Sequence, residues 1–259
     1  MNYDRNEKGL DKMKAKVEKN IAVIFAGGSG RRMHTKDKPK QFLLVHGKPI
    51  IVHTIEQFEN HPEIDGIVVV CIKGWIDYMN DMIYRYRLDK VKSVVPGGKT
   101  GQLSIYNGLC AAEEAFGTDG TVVLIHDGVR PLIDADTISR NIASVREFGS
   151  AITCTVAKET VILVDDTEKV DAVPDRSRSR FAKAPQSFYL KDILAAHRQC
   201  LAEGKDNVID SCTMMRMYGK PLHVVIGRSD NIKITTPDDF YIFRALYDAR
   251  ENNQIGEYE

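Results

Sequence analysis

Short runs of consecutive apolar residues alternate along this chain with longer stretches whose apolar positions recur every three or four residues. Ile21–Phe25, Ile67–Ile72 (IVVVCI), Val91–Val95, Thr121–His126 (TVVLIH) and Ala151–Val156 are too short for helices and read as strands buried on both faces. Between them, Pro49–Phe58, Trp75–Tyr86, Ser104–Ala115 and Asp134–Phe148 carry apolar stripes at helical spacing, with Pro49 suited to a first turn. Strands alternating with helices in this way predict an α/β fold with a mostly parallel central sheet flanked by helices.

The pattern breaks between Ala157 and Gln186. Thr160–Val164 alternates like an exposed strand, Asp165-Asp166-Thr167 turns, and Val170–Val173 can return, which predicts a hairpin projecting from the sheet. The arginine-dense stretch DRSRSRFAKAPQ follows and is expected to be unburied. Helices are expected at Leu190–Ala202, Asp210–Tyr218 and from about Pro237 to Glu251, with a strand at Leu222–Ile226. Without a repeat or a linker, the economical reading is one domain over 21–255, carrying a β-arm at about 157–183, behind a polar extension over 1–20.

Composition narrows the class. With 36 basic and 36 acidic residues among 259, the formal charge is zero, so no global field points to nucleic acid or to an anionic membrane. No apolar run approaches the roughly 20 residues of a membrane span. The polar N-terminus has no signal-peptide core, so a soluble cytoplasmic protein is expected. The five cysteines are scattered without a C-x-x-C pair, which suits reduced thiols and not a zinc site.

The chemistry gathers in three places. After the first strand, FAGGSGRRM supplies Gly27, Gly28 and Gly30, which let backbone N–H groups approach an anion. Met33 stands where a dinucleotide fingerprint needs its last glycine, and the Walker lysine is missing. Basic residues replace them: Arg31, Arg32, Lys36, Lys38 and Lys40 crowd one short stretch that would suit a triphosphate. In IHDGVRP, Asp127 ends a central strand with Arg130 close behind, placed to hold Mg²⁺ or a ribose hydroxyl, or simply to turn the chain. In RSDNIKITTPDD, Thr236 and Asp239 form a capping-box pattern, which leaves Asp230 and Lys233 unexplained by the helix start. No H-E-x-x-H, triad or G-x-S-x-G pattern is present, so no covalent nucleophile is indicated.

AGGSGRRM with KPKQF, then HDGVRP, APQSF and DNIKITTP in this order resembles the cytidylyltransferases that make CDP-linked polyol phosphates, over about Ile21 to Arg250. That family includes 2-C-methyl-D-erythritol 4-phosphate and ribitol-5-phosphate cytidylyltransferases. The resemblance implies a Rossmann-like nucleotidyltransferase fold, CTP as substrate, Mg²⁺ as cofactor, and a homodimer formed through the β-arm.

With the residue readings above, the site roles follow from the resemblance. It implies that Arg32, Lys40 and Lys233 are catalytic cations, and that Ala26, Gly27, Gly28, Gly30, Gly98, Ser104 and Asp127 bind nucleotide. Arg130, Thr160 and Arg176 would bind the polyol phosphate, with the arm's Thr160 and Arg176 serving a partner's site. Asp127 and Asp230 would be the metal ligands. Gly27 replaces the second loop alanine usual in the methylerythritol branch, and "IDSC" at Ile209–Cys212 also leans towards the ribitol branch. Gly101 stands where many relatives carry an arginine.

The expected reaction is transfer of CMP from CTP to a polyol phosphate, D-ribitol 5-phosphate first and 2-C-methyl-D-erythritol 4-phosphate as the alternative. A nucleotide-dependent oxidoreductase lacks its third glycine. A sugar-nucleotide glycosyltransferase is disfavoured because the Asp-Asp pairs lie in a hairpin turn and a helix start. A non-catalytic nucleotide-binding protein on the same fold is the reading of another class.

Overall fold

Apolar strands, capped helices and one exposed hairpin account for most of the chain order. The structure is a computed structural model that describes residues 18–28 and 38–251. Most of the 1–20 extension, and Gly30 and Arg32, lie outside the described residues. The chain runs β1 (Lys19–Ala26), a small hairpin of β2 (Leu44–Val45) and β3 (Lys48–Pro49), α1 (Ile50–Glu59), β4 (Gly66–Cys71), α2 (Ile76–Tyr86), β5 (Val91–Pro96), α3 (Gly101–Phe116), β6 (Thr121–Asp127), α4 (Ala135–Phe148) and β7 (Ser150–Val156). It continues through β8 (Leu163–Val164), β9 (Val170–Ala172), β10 (Arg180–Tyr189), α5 (Leu190–Ala202), α6 (Ser211–Met217), β11 (Val224–Ile226) and α7 (Pro237–Glu251).

The helix starts have identifiable causes. Thr100, Asp134 and Asp210 each accept the backbone N–H three residues on, from Leu103, Thr137 and Thr213, and so begin α3, α4 and α6. At α7, Asp239 Oδ2 accepts from the N–H groups of Thr235 and Thr236, both at 2.8 Å, while its own N–H reaches Thr236 Oγ1. This is the reciprocal cap that the Thr-x-x-Asp spacing predicts.

Seven strands form one sheet in the order β11-β7-β10-β6-β1-β4-β5. β1 pairs in parallel with β4 and β6, and β11 in parallel with β7. Side chains alternate across this sheet. Ala22 and Ile24 of β1 face the core under α1, α2 and α4, whereas Ile21 and Val23 face the core under α3, α5 and α6.

One strand departs from expectation. DRSRSRFAKAPQ was expected to be unburied, but its second half belongs to β10, an antiparallel strand between β6 and β7 whose Ala184–Phe188 segment is buried. Pro185 sits where the register with β7 slips between the Ala182 and Gln186 pairings, next to a cis Ala184–Pro185 peptide. A proline is tolerated inside a sheet at such an irregularity.

The expected hairpin is present as β8 and β9. Asp165 closes its turn by accepting from the Thr167 N–H, the Thr167 hydroxyl and the Lys169 N–H. Among the described residues, no helix is long and apolar enough to cross a membrane.

Candidate active site

The chain runs from β1 outward through β4 to β5, then returns to lay β6 on the other side of β1. The strand order therefore reverses beside β1, and in such sheets the ligand crevice lies beyond the carboxyl ends of the strands at that point, here β1 and β6. Phe25 and Asp127 are paired at that end, and the Gly128 N–H extends the ladder to the Phe25 carbonyl at 3.0 Å.

Asp127 is the centre of this crevice. Its side chain is only 8% exposed and lies between two cations: Lys233 Nζ reaches Oδ1 at 2.7 Å and Arg130 Nε reaches Oδ2 at 2.7 Å. Burial alone would raise the Asp127 carboxyl, but Lys233 and Arg130 outweigh it and hold the pKa down at about 2. The neighbouring His126 is fully enclosed, and burial pushes its imidazole down to about 4. It is therefore neutral at pH 7 and donates from Nε2 to the Arg130 carbonyl at 3.1 Å, supporting the turn that aims Arg130.

A strap over residues 228–236 gathers the cations. The Ile234 N–H bonds the Val129 carbonyl at 3.0 Å, and the Ile234 carbonyl accepts from Lys40 Nζ at 2.8 Å. The Asn231 carbonyl accepts from Arg130 Nη1 at 2.9 Å, and Asn231 Nδ2 donates to the Ala184 carbonyl of β10 at 3.0 Å. Lys40, Arg130 and Lys233, separated by up to 193 positions, are thus brought to one strap. Gln41, buried beside Lys40, donates to the Ala26 carbonyl at 2.7 Å and ties that turn to the end of β1.

The glycines lie on the other flank. Ser104 Oγ accepts from the Gly98 N–H at 3.0 Å and donates to the Thr100 carbonyl at 2.9 Å. A β-carbon added at Gly27 would stand 3.2 Å from that hydroxyl, and one at Gly97 would stand 3.1 Å from it. The two glycine turns therefore close on Ser104. Ala26 is buried at the strand's end, whereas Gly28 is exposed, with open space around it.

The other expected site residues fall elsewhere. Thr160 and Arg176 are exposed on the arm, and among the described residues neither side chain bonds to the crevice. Both oxygens of Asp230 are engaged, by Arg228 at 3.2 Å and by Arg250 at 2.7 Å. Gln41, Asn231 and Lys183 were not singled out from the sequence. Neutral amides and an isolated lysine leave no local signal, and only their long-range bonds reveal them.

A family model described as 2-C-methyl-D-erythritol 4-phosphate cytidylyltransferase matches residues 20–248. The chain belongs to this cytidylyltransferase family. It is 62% identical over 236 residues to a ribitol-5-phosphate cytidylyltransferase of Streptococcus agalactiae serotype III, covering 91% of this chain and 98% of that one. It is 54% identical to a ribitol-5-phosphate cytidylyltransferase of Vibrio parahaemolyticus, covering 91% and 99%.

Among solved structures, the 4-diphosphocytidyl-2C-methyl-D-erythritol synthase of Anaerococcus prevotii superposes with a TM-score of 0.77 at 31% identity, covering 89% of this chain and 96% of that one. As a cytidylyltransferase, the protein is a nucleotidyltransferase enzyme. Its crevice carries the charge needed to bring two phosphorylated substrates together.

Proposed function

We propose that this enzyme transfers CMP from CTP to D-ribitol 5-phosphate, forming CDP-ribitol and releasing pyrophosphate. The likeness at 62% identity to a ribitol-5-phosphate cytidylyltransferase, across 91% of the chain, carries the choice of acceptor. In this reading an oxygen of the acceptor phosphate attacks the α-phosphorus of CTP as the bond to the pyrophosphate oxygen breaks. The nucleophile is already anionic, so no general base is required.

The obstacle is the approach of two anions, and fixed cations lower it. Lys40 and Lys233, with Arg32 from the glycine loop, would neutralise the triphosphate and the charge growing on the leaving oxygens. Arg130 would face the acceptor phosphate. Ala26, Gly27, Gly28, Gly30, Gly98 and Ser104 would line the nucleotide side.

Mg²⁺ fits this donor set. A carboxylate offers about four lone-pair positions, and Lys233 and Arg130 each take one on Asp127. One carboxylate plus substrate phosphates is an ordinary arrangement for this ion. When bound, it would screen phosphate charge as a Lewis acid. Asp230, engaged by two guanidiniums, is better read as the anchor of the strap.

The arm supports a homodimer. Ile162, Leu163, Val164, Val170, Val173 and Phe181 are each about half exposed or more, a concentration of apolar surface that favours cover by another chain. Thr160 and Arg176 would then act in the partner's site. Sedimentation equilibrium at micromolar concentration is expected to give a dimer, and a monomer would overturn this role for the arm. The five cysteines are free thiols, which favours a reducing compartment such as the cytoplasm.

Pyrophosphate release tests the reaction. Ribitol 5-phosphate with CTP and Mg²⁺ is expected to give at least a tenfold higher kcat/KM than 2-C-methyl-D-erythritol 4-phosphate, UTP or ATP, with activity lost on chelation. Preference for the methylerythritol substrate would overturn the acceptor. No release with any pair would favour a non-catalytic nucleotide-binding protein.

A further inference from the structure

The root of the arm holds a cation that the expected site leaves out. Lys183 lies in the register slip of β10, between the Ala182–Cys154 and Gln186–Ile152 pairings. Its ammonium is turned to the strap, donating to the Ser229 carbonyl at 2.9 Å and to the Asn231 carbonyl at 3.3 Å. The Asn231 carbonyl is also the acceptor for Arg130 Nη1, so the two cations meet at one oxygen.

Among the described residues, no carboxylate lies within ion-pair distance of Lys183. Its charged surroundings are Arg130 and Lys158, which repel it, and Asp230, which attracts it but already serves Arg228 and Arg250. Asp127, the other carboxylate of this end, is shared by Arg130 and Lys233. A half-buried ammonium without a counter-ion is costly. Burial and the Arg130 charge accordingly lower its proton affinity. Positive charge is therefore in surplus beside Arg130, and a dianionic phosphate would relieve it.

We propose that Lys183, supplied by each chain to its own crevice, binds the phosphate of the acceptor together with Arg130, with exposed Lys158 adding to the field. This rests on the polyol-phosphate reading given above. Lys183 belongs to the acceptor side, because its partners are Arg130 and the strap and not the glycine turns. Its loss acts on acceptor binding and leaves CTP binding unchanged. The arm then has two tasks: its root completes the chain's own site, and its outer part reaches the partner.

Steady-state kinetics of the full chain, with each substrate varied in turn, test the assignment. Lys183→Gln retains a donor for the two carbonyls but removes the charge. Its KM for ribitol 5-phosphate is expected to rise about 10- to 100-fold, the range of one hydrogen bond to a charged group. Its KM for CTP should stay within about twofold, and Lys183→Arg should recover most of the loss. An unchanged acceptor KM would overturn the proposal. So would equal rises in both KM values with a lowered Tm, the mark of a purely structural tie.

If Lys183→Gln does not fold, exposed Lys158→Gln serves. An acceptor KM raised about two- to fivefold supports the proposal, and an unchanged value overturns it. A wild-type enzyme that ignores ribitol 5-phosphate marks failure of the acceptor reading instead. Calorimetry with inorganic phosphate then decides on Lys183, through tenfold weaker binding to Lys183→Gln or equal binding to both proteins.

Discussion

Lys40→Ala is expected to lower kcat by about 10²–10³, the cost of removing one preorganised group that stabilises transition-state charge, in a protein that remains folded. Lys40 sits on a short 3₁₀ turn just after Pro39, anchored by buried Gln41 and Phe42. Its ammonium is held by the Ile234 carbonyl, and its charge helps to lower the carboxyl of Asp239, which caps α7. The charge is thus fixed before substrate arrives, beside the segment that carries Lys233. A cation held in place needs no reorganisation as charge moves to the leaving pyrophosphate. A kcat within about threefold of wild type, in a variant with unchanged circular dichroism and oligomeric state, would remove Lys40 from the machinery.

Asp127→Asn is expected to abolish measurable turnover and to cost about 3 kcal/mol of stability in urea denaturation, the lower end of the cost of breaking a buried ion pair. The lower end applies because Lys233 is 43% exposed and can turn to water, whereas Arg130, at 12%, cannot. Acid adds a second signature. The folded pKa of Asp127 is about 2, below its ordinary 3.8, so the folded state binds this proton more weakly than the unfolded chain does. The resulting stability, ~2 kcal/mol, is fully present above about pH 4 and is lost as pH falls through about 2. The Asn variant should lack this part of the acid dependence. Parallel curves for wild type and variant between pH 4 and 2 would show that Asp127 is not the ion-paired centre.

Much of the framework was legible because it is local. The strands at β1, β4 and β6 are continuous apolar runs, and α4, α6 and α7 begin at side chains that cap them, whereas α3, expected from Ser104, begins three residues earlier under the Thr100 cap. Asp127 was legible as a carboxylate ending a central strand, Lys40 of KPKQF as part of a basic cluster suited to a triphosphate, and Lys233 of DNIKITTP as a charge that the helix cap did not need. β10 was not legible. Its buried part, Ala184–Phe188, contains a proline, a glutamine and a serine, and no apolar run. The glutamine is explained by α6, where it donates to Asp210 and accepts from the Cys212 N–H. The serine is explained by its bond to Asn141 on α4.

By itself, the sequence determined the strands that are continuous apolar runs, most helix limits, the exposed hairpin and the residue types of a phosphate-handling crevice, since each depends on period or on neighbours a few positions apart. Only the tertiary structure decided that β10 runs antiparallel between β6 and β7. It alone decided that Lys233 and Arg130 share Asp127, and that Lys40 and Lys183 meet one strap. Those relations rest on bonds between positions as far apart as Lys40 and Ile234, and no local pattern encodes which distant carbonyl a lysine will reach.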